Sequence, residues 1–203
     1  MRIGGGGTII EEEGEVDMTS GKPALDLLPL RESEHLRGSP RAAVTLVEYG
    51  DYECPGCAEA YWIIGRLQER LGGKMRFVFR HYAFARLHPH AELAAQAAEA
   101  AGAQGKFWEM HDLLFENWQS LERKDLLAYA RRLDLDTARF GGELKREMYL
   151  PRAREDFRTG VQNGVYGTPG LFLNGVRHDG SYDFETLFEA MEPFTGVRDG
   201  NAG

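Results

Sequence analysis

Two cysteines, Cys54 and Cys57, are the residues of this 203-residue chain best suited to chemistry, and they are its only cysteines. A thiolate is a nucleophile and a metal ligand, so a Cys-x-x-Cys pair could exchange disulfides or supply two ligands of a zinc site. As a structural staple the pair would close so short a loop that little entropy would leave the unfolded chain. The spacing therefore favours thiol–disulfide chemistry.

A zinc site would need two further ligands, and His88 and His90, on either side of Pro89, are the candidates. A second cysteine pair is missing, and a proline between two histidines is more typical of the start of a helix. We therefore predict no metal site and no cofactor besides a redox-active disulfide between Cys54 and Cys57. A zinc-binding structural protein is the less favoured interpretation.

A strand and a helix must position the two cysteines. Residues 42–49 form a short apolar run rich in β-branched side chains, which predicts a buried strand, and residues 75–82 alternate like a second strand. Residues 58–71 between them show a helical pattern. Cys54 would then lie just before the helix, where free N–H groups favour an anion, and Cys57 one turn inside. This placement predicts Cys54 as the attacking thiol and Cys57 as the slower, resolving thiol.

The rest of the sequence predicts an α/β chain. Residues 88–164 carry several helical stripes and little strand signal. Residues 170–178 then predict a β-hairpin, because Asn174-Gly175 is a favoured two-residue turn. A last helix is predicted from Asp183, whose side chain is suited to cap it. The order is therefore a βαβ unit, a helical block, a hairpin and a closing helix.

Four features in this order resemble the DsbA-like branch of the thioredoxin superfamily, and its soluble bacterial members in particular. They are Val47-Glu48-Tyr49, then Cys54-Pro-Gly-Cys57, then a helical segment, then Gly167-Thr168-Pro169. The resemblance covers roughly residues 35–195. It implies a thioredoxin fold, in which helices flank a central mixed β-sheet, with an all-helical subdomain inserted at about 86–164.

The resemblance also implies roles for residues outside the cysteine pair. Glu48 occupies the position of an acidic residue that moves a proton to or from Cys57; the alternative is a carboxylate at the solvent edge of the strand. Thr168-Pro169 is expected to be a cis peptide bond beside Cys54, and the Thr168 backbone to pair with an extended substrate segment. An ordinary edge-strand proline is the plainer interpretation.

Pro55 and Gly56, between the cysteines, are also expected to contact substrate. The well-known strong oxidant of this branch carries a histidine where this chain has Gly56, and a histidine there can stabilise the thiolate. Its absence favours a less oxidising couple and a reducing role.

Net charge and the N-terminal sequence limit the classes of partner and the cellular compartment that we expect. The formal charge of −8 disfavours nucleic acid and anionic membranes as partners. We interpret residues 1–38 as a flexible N-terminal extension and residues 39–203 as the DsbA-like domain. No secretory signal is recognisable, which favours the cytosol.

We expect a protein-disulfide oxidoreductase that acts on thiol- or disulfide-containing proteins and is recycled by an unidentified redox partner. The alternative is a redox-sensing or partner-binding module without significant turnover.

Overall fold

The apolar run before the cysteines forms the middle strand of a five-stranded mixed sheet. The computed structural model describes residues 30–31 and 34–196. Its strands are β1 His35–Gly38, β2 Val44–Gly50, β3 Met75–His81, β4 Gly170–Leu173 and β5 Val176–His178. In space their order is β1-β3-β2-β4-β5. β2 and β3 are parallel and the other neighbouring pairs are antiparallel, so the predicted mixed sheet is confirmed.

Helices account for most of the remaining described residues. They are α1 Pro55–Leu71, α2 Ala91–Gly102, α3 Phe107–Glu116, α4 Arg123–Arg132, α5 Thr137–Lys145, α6 Leu150–Gln162 and α7 Phe184–Thr195, with a short 3-10 turn at Gly72–Lys74. Five of them, α2 to α6, lie between β3 and β4, where the sequence predicts a helical segment. Among the described helices, none is long and apolar enough to cross a membrane.

Apolar side chains cover both faces of the sheet, which explains why β2 is a nearly continuous apolar run rather than an alternating one. Leu46 of β2 and Phe79 of β3 belong to the larger core, which includes residues of α1 and α7. Val47 and Tyr49 face the other side and form a smaller cluster, against which Phe157 of α6 packs. The side of β2 that carries Leu46 therefore also carries Glu48, on the face where α1 lies.

Gly160 allows α6 to approach this smaller cluster closely. A Cβ atom at Gly160 would lie 2.7 Å from Cδ2 of Tyr82 and 3.0 Å from Cδ1 of Tyr49. Both distances are shorter than ordinary contacts, so the aromatic rings occupy the space that a side chain would need. The glycine is required by packing on the sheet.

The start of the folded region differs from the prediction. His35–Gly38, the last residues of the proposed flexible extension, form β1 and pair with β3 in antiparallel register. The ion pair between Glu34 and Arg80 of β3, with a nitrogen–oxygen distance of 2.6 Å, fixes the chain just before the strand. The boundary at residue 38 is therefore too late. Residues 1–29, 32 and 33, which make up most of the proposed extension, lie outside the described residues.

Candidate active site

Both cysteines lie at the start of α1, as predicted. Cys54 is the N-cap residue of the helix, with extended backbone, and Pro55 occupies the first helical position. Proline fits there because its missing N–H would have no partner within the helix. Cys57 lies one turn further on and has no solvent exposure, whereas Cys54 has 9%. Both are free thiols in the structure.

The environment of Cys54 favours its thiolate. A hydrogen bond from the Cys57 thiol contributes most to lowering the pKa of Cys54, which falls from 9.0 to about 5 although burial opposes the shift. Hydrogen bonds donated by the Thr168 side chain and by the backbone N–H groups of Cys57 and Gly56 contribute further. These N–H groups belong to the first turn of α1, where they have no carbonyl partner in the helix. Cys54 is therefore the cysteine of the pair that is ionised at neutral pH.

The environment of Cys57 favours the protonated thiol. Burial raises the pKa of Cys57 well above its ordinary value, and the hydrogen bond to Cys54 and the charges of Glu48 and Cys54 raise it further. The backbone N–H of Asp51 donates to Cys57 Sγ over 3.4 Å and opposes this shift. Cys57 must therefore lose a proton before it can attack a disulfide.

Glu48 lies on β2 beneath the cysteine pair and is 1% exposed, so it does not occupy the solvent edge of the strand. Burial raises the pKa of Glu48 to about 8, which a hydrogen bond to Cys57 partly counteracts. The other carboxyl oxygen, Oε1, has no hydrogen-bond partner among the described residues. Gly50 leaves room for it, because a Cβ at that position would lie 2.8 Å from Oε1. A carboxyl with this contact and this pKa has the properties that proton exchange with Cys57 near neutral pH would require.

The loop before β4 forms the other side of the site. The Thr168-Pro169 peptide bond is cis. Cys54 Sγ lies 3.6 Å from the carbonyl oxygen of Thr168. Gly56 packs against the same loop, since a Cβ there would lie 3.4 Å from Cδ of Pro169. Pro55 is exposed at the surface of the site. The structure thus brings together all seven site residues predicted from the sequence, while their roles towards a substrate stay predictions.

Asp51 is a residue of the site that the sequence analysis did not identify. It is 1% exposed, and its carboxylate accepts hydrogen bonds from the backbone N–H groups of Glu53 and Phe84, each at 2.8 Å. Its Oδ2 also lies 2.8 Å from Nδ1 of His88. Because the N–H of Asp51 donates to Cys57 Sγ, this carboxylate fixes the loop that holds Cys57. The available signal was the polar Gly-Asp-Tyr-Glu stretch that directly precedes Cys54.

The two histidines considered as zinc ligands pair with carboxylates instead. His88 contacts Asp51, and Nδ1 of His90 lies 2.7 Å from Oε1 of Glu53. Among residues 30–31 and 34–196, the only group with suitable ligand atoms in close proximity is His35, His81 and Glu99, which does not include the cysteines. In that group both imidazole Nε2 atoms lie at hydrogen-bond distance from one Glu99 oxygen, at 2.8 and 2.9 Å.

Fold and site together define a class: thioredoxin-fold proteins with a Cys-x-x-Cys pair at the start of the first helix and a cis-proline loop beside it. A family model described as Thioredoxin matches residues 31–192, and the chain belongs to this family. Solved structures of DsbA proteins share the fold of this chain. Alpha-DsbA1 from Wolbachia pipientis superposes with a TM-score of 0.72 at 18% identity, covering 86% of this chain and 96% of that chain.

The chain is also similar to a second solved structure and, in sequence, to a group of larger proteins. A thioredoxin-like oxidoreductase from Silicibacter pomeroyi DSS-3 has a TM-score of 0.69 and 26% identity, covering 83% of this chain and 95% of that chain. In sequence, the chain is 46% identical over 168 residues to the Na(+)/H(+) antiporter NhaA 1 of Salinispora arenicola (strain CNS-205), covering 82% of this chain and 26% of that protein. The chain thus spans about a quarter of the length of the curated relatives it matches.

Proposed function

We propose that this protein exchanges disulfides with protein substrates through a mixed disulfide on Cys54 that Cys57 resolves. In the reducing direction the Cys54 thiolate attacks a substrate disulfide, forms a new S–S bond and releases one substrate sulfur as a thiolate. Cys57 then loses its proton to Glu48 and attacks Cys54 Sγ, which releases the second substrate sulfur. The substrate disulfide is reduced to two thiols while the Cys54–Cys57 dithiol is oxidised to a disulfide.

One observation carries this proposal: two cysteines separated by two residues have opposite environments. The pKa of Cys54 is lowered to about 5, and that of Cys57 is raised well above its ordinary value. A structural pair or a zinc-ligand pair has no need of this difference, because zinc binds both sulfurs as thiolates. An exchange catalyst needs it, since one thiol must attack and the other must wait.

The test is a trapping experiment together with a turnover assay. The wild-type protein is expected to catalyse insulin reduction by a small thiol. Cys57→Ser is expected to accumulate mixed disulfides on Cys54 with an unfolded protein substrate, because the resolving thiol is missing. Cys54→Ser is the matched control and should form none, although it keeps one free cysteine. The absence of both turnover and trapped complexes would contradict the proposal.

We further propose a reducing role in the cytosol. This direction is supported by Gly56, which supplies no histidine to stabilise the thiolate further, and it requires the couple to be mostly reduced in the cell. Alkylation of cell extracts under acid quench measures the redox state of Cys54 and Cys57 directly. A pair found mostly as a disulfide would contradict the direction and leave the exchange reaction itself unaffected.

The alternative function is a redox-sensing module, and the similarity to a stretch of Na(+)/H(+) antiporters favours considering it. In that role the cysteine pair would switch between dithiol and disulfide to change a partner, with no need of turnover. Insulin reduction separates the two functions. A protein that forms the Cys54–Cys57 disulfide reversibly but shows no turnover would be a sensor.

A further inference from the structure

Two histidine–carboxylate pairs join the segment after β3 to the loop that leads into the cysteine pair. Nδ1 of His88 lies 2.8 Å from Oδ2 of Asp51, and Nδ1 of His90 lies 2.7 Å from Oε1 of Glu53. A carboxylate can only accept hydrogen bonds, so each Nδ1 atom is the donor. The two pairs have the same chemistry and lie close together in the chain, but their carboxylates hold different parts of the protein.

The pair of His88 and Asp51 is connected to Cys57. The backbone N–H of Asp51 donates to Cys57 Sγ over 3.4 Å. The buried carboxylate of the same residue accepts hydrogen bonds from the N–H groups of Glu53 in its own loop and Phe84 after β3, each at 2.8 Å. With His88, three donors from two segments hold this side chain. They limit the freedom of residue 51, and with it the direction in which its N–H points.

The pair of His90 and Glu53 holds a different contact. The Glu53 carboxylate accepts from the imidazole of His90 and, over 2.6 Å, from the backbone N–H of His90. Both bonds therefore come from one residue, and within the described part of the chain neither leads to a cysteine sulfur. The side chain of His90 is 40% exposed and that of His88 is 19% exposed. The second pair is thus an internal reference for the effect of the first.

The contact from Asp51 to Cys57 Sγ bears on the second step of the proposed reaction. In that step the Cys57 thiolate attacks Cys54 Sγ, and the bond between Cys54 and the substrate sulfur breaks as the Cys54–Cys57 disulfide forms. The negative charge leaves with the substrate sulfur. Burial, Cys54 and Glu48 raise the pKa of Cys57, whereas the Asp51 N–H lowers it. A hydrogen bond to a charged acceptor is stronger than one to a neutral acceptor, so this contact strengthens as the thiolate forms.

We propose that the Asp51 N–H is a catalytic donor to the Cys57 thiolate in the second step, and that His88 is a positioning residue that holds Asp51 for this purpose. The proposal rests on the proposed function and adds two residues to it. The donor stabilises the attacking form of Cys57 more than its resting thiol, which is the condition for a faster second step. His88 acts on the reaction through the Asp51 carboxylate.

His88 offers a way to loosen Asp51 without changing either cysteine. His88→Ala removes the imidazole donor and leaves the two backbone donors to Asp51 in place. His88→Asn is the conservative variant, because its side-chain amide N–H can take the position of Nδ1. His90→Ala and His90→Asn are the matched controls in the same segment. The His90 side chain makes no capping hydrogen bond to α2, so these controls leave the start of that helix intact.

The measurement is a single-turnover reaction with a peptide disulfide that carries a fluorophore on each half. The first release reports attack by Cys54 and the second reports attack by Cys57. His88→Ala is expected to slow the second release about tenfold and to move the midpoint of its pH profile up by about one unit. A loss of packing alone would not move this midpoint. The first release should be unchanged, because the donors to Cys54 do not include Asp51. His88→Asn should restore the second release, and both His90 variants should match wild type.

Asp51→Asn provides a second test, because it presents an N–H in place of one of the accepting oxygens. It should slow the second release at least as much as His88→Ala does, and adding His88→Ala to it should cause little further slowing. An unaffected second release in His88→Ala, equal slowing by His90→Ala, full additivity of the double variant, or no rescue by His88→Asn would each overturn the proposal. If the first release does not occur in wild type, it is the proposed function that fails.

Discussion

Replacing Cys57 by alanine is expected to raise the pKa of Cys54. The largest contribution to the low pKa of Cys54, about 5, is the hydrogen bond from the Cys57 thiol, and alanine has no donor. Cys57 can serve as this donor because burial keeps it protonated. The backbone N–H groups of the first turn of α1 are unaffected by the substitution, so part of the stabilisation should persist.

The expected size follows from the strength of a hydrogen bond to a charged group. Such bonds contribute about 1.5–3 kcal/mol, and 1.36 kcal/mol corresponds to a tenfold change in acid dissociation. The pKa of Cys54 should therefore rise to roughly 6–7 in Cys57→Ala. Cys57→Ser is the matched control, because its hydroxyl can still donate to the thiolate and should keep the pKa of Cys54 closer to that of wild type.

The assay is the ultraviolet absorbance of the thiolate as a function of pH, checked by the pH dependence of alkylation of Cys54. In both variants Cys54 is the only cysteine, so the signal needs no deconvolution. The reasoning would be refuted if Cys57→Ala titrated at the same pH as wild type. It would also be refuted if the alanine and serine variants titrated alike, since the helix N–H groups would then account for the low pKa.

Three further predictions concern the Cys54–Cys57 redox couple, the buried carboxyl of Glu48 and the packing of α6. The pKa of Cys54 is about 5, compared with roughly 7 for the attacking cysteine of thioredoxin, and the lower value stabilises the reduced form of the pair at pH 7. Redox titration with glutathione should therefore give a reduction potential roughly 50 mV less negative than the approximately −270 mV of thioredoxin. A potential at or below about −270 mV would contradict this prediction. The pKa of Glu48 is about 8 in the folded protein, compared with an ordinary value of 4.5. Glu48 therefore destabilises the folded state increasingly as the pH rises above 4.5. Glu48→Gln should therefore raise the free energy of unfolding of the reduced protein by about 3 kcal/mol at pH 7 and by almost nothing near pH 4, as urea denaturation would measure. Gly160→Ala should lower the free energy of unfolding by about 1–3 kcal/mol, because its Cβ would clash with Tyr82. Gly65→Ala should raise the free energy of unfolding by up to about 1 kcal/mol, because its Cβ would meet no atom and alanine favours the helix. Thermal unfolding of the two variants tests the sign of each change.

Elements with strong local patterns could be predicted from the sequence. The run that became β2, the helix after Cys54 and the Asn174-Gly175 turn each carry their signal within a few residues. In that turn both Asn174 and Gly175 have positive φ, 47° and 85°, as this pair of residues favours. Cys54 and Cys57 were found for the same reason, because the motif and the following helix are adjacent in the chain.

Features that depend on distant partners could not be predicted. β1 has one apolar residue, Leu36, in four, and its strand structure comes from pairing with β3, whose residues lie about forty positions later. The side chain of Asp51 similarly finds its partners, Phe84 and His88, after a helix and a strand. The residues of β2 alone do not determine whether Glu48 is buried, because β2 is covered on both faces and its apolar pattern does not mark a solvent side; the resemblance favoured burial.

The difference in pKa between Cys54 and Cys57 is related to the destabilising effect of the buried Glu48 on the fold. Cys57 can donate to the Cys54 thiolate only while it is itself protonated, so the group that activates the first thiol is unreactive by necessity. A base must then remove its proton without exposing it to solvent, and a buried carboxyl with a pKa of about 8 meets this requirement. Such a carboxyl destabilises the fold at neutral pH, and its free oxygen has no described partner. Under the proposed function, the stability cost of Glu48 is explained by the need to turn the unreactive thiol into an attacking one.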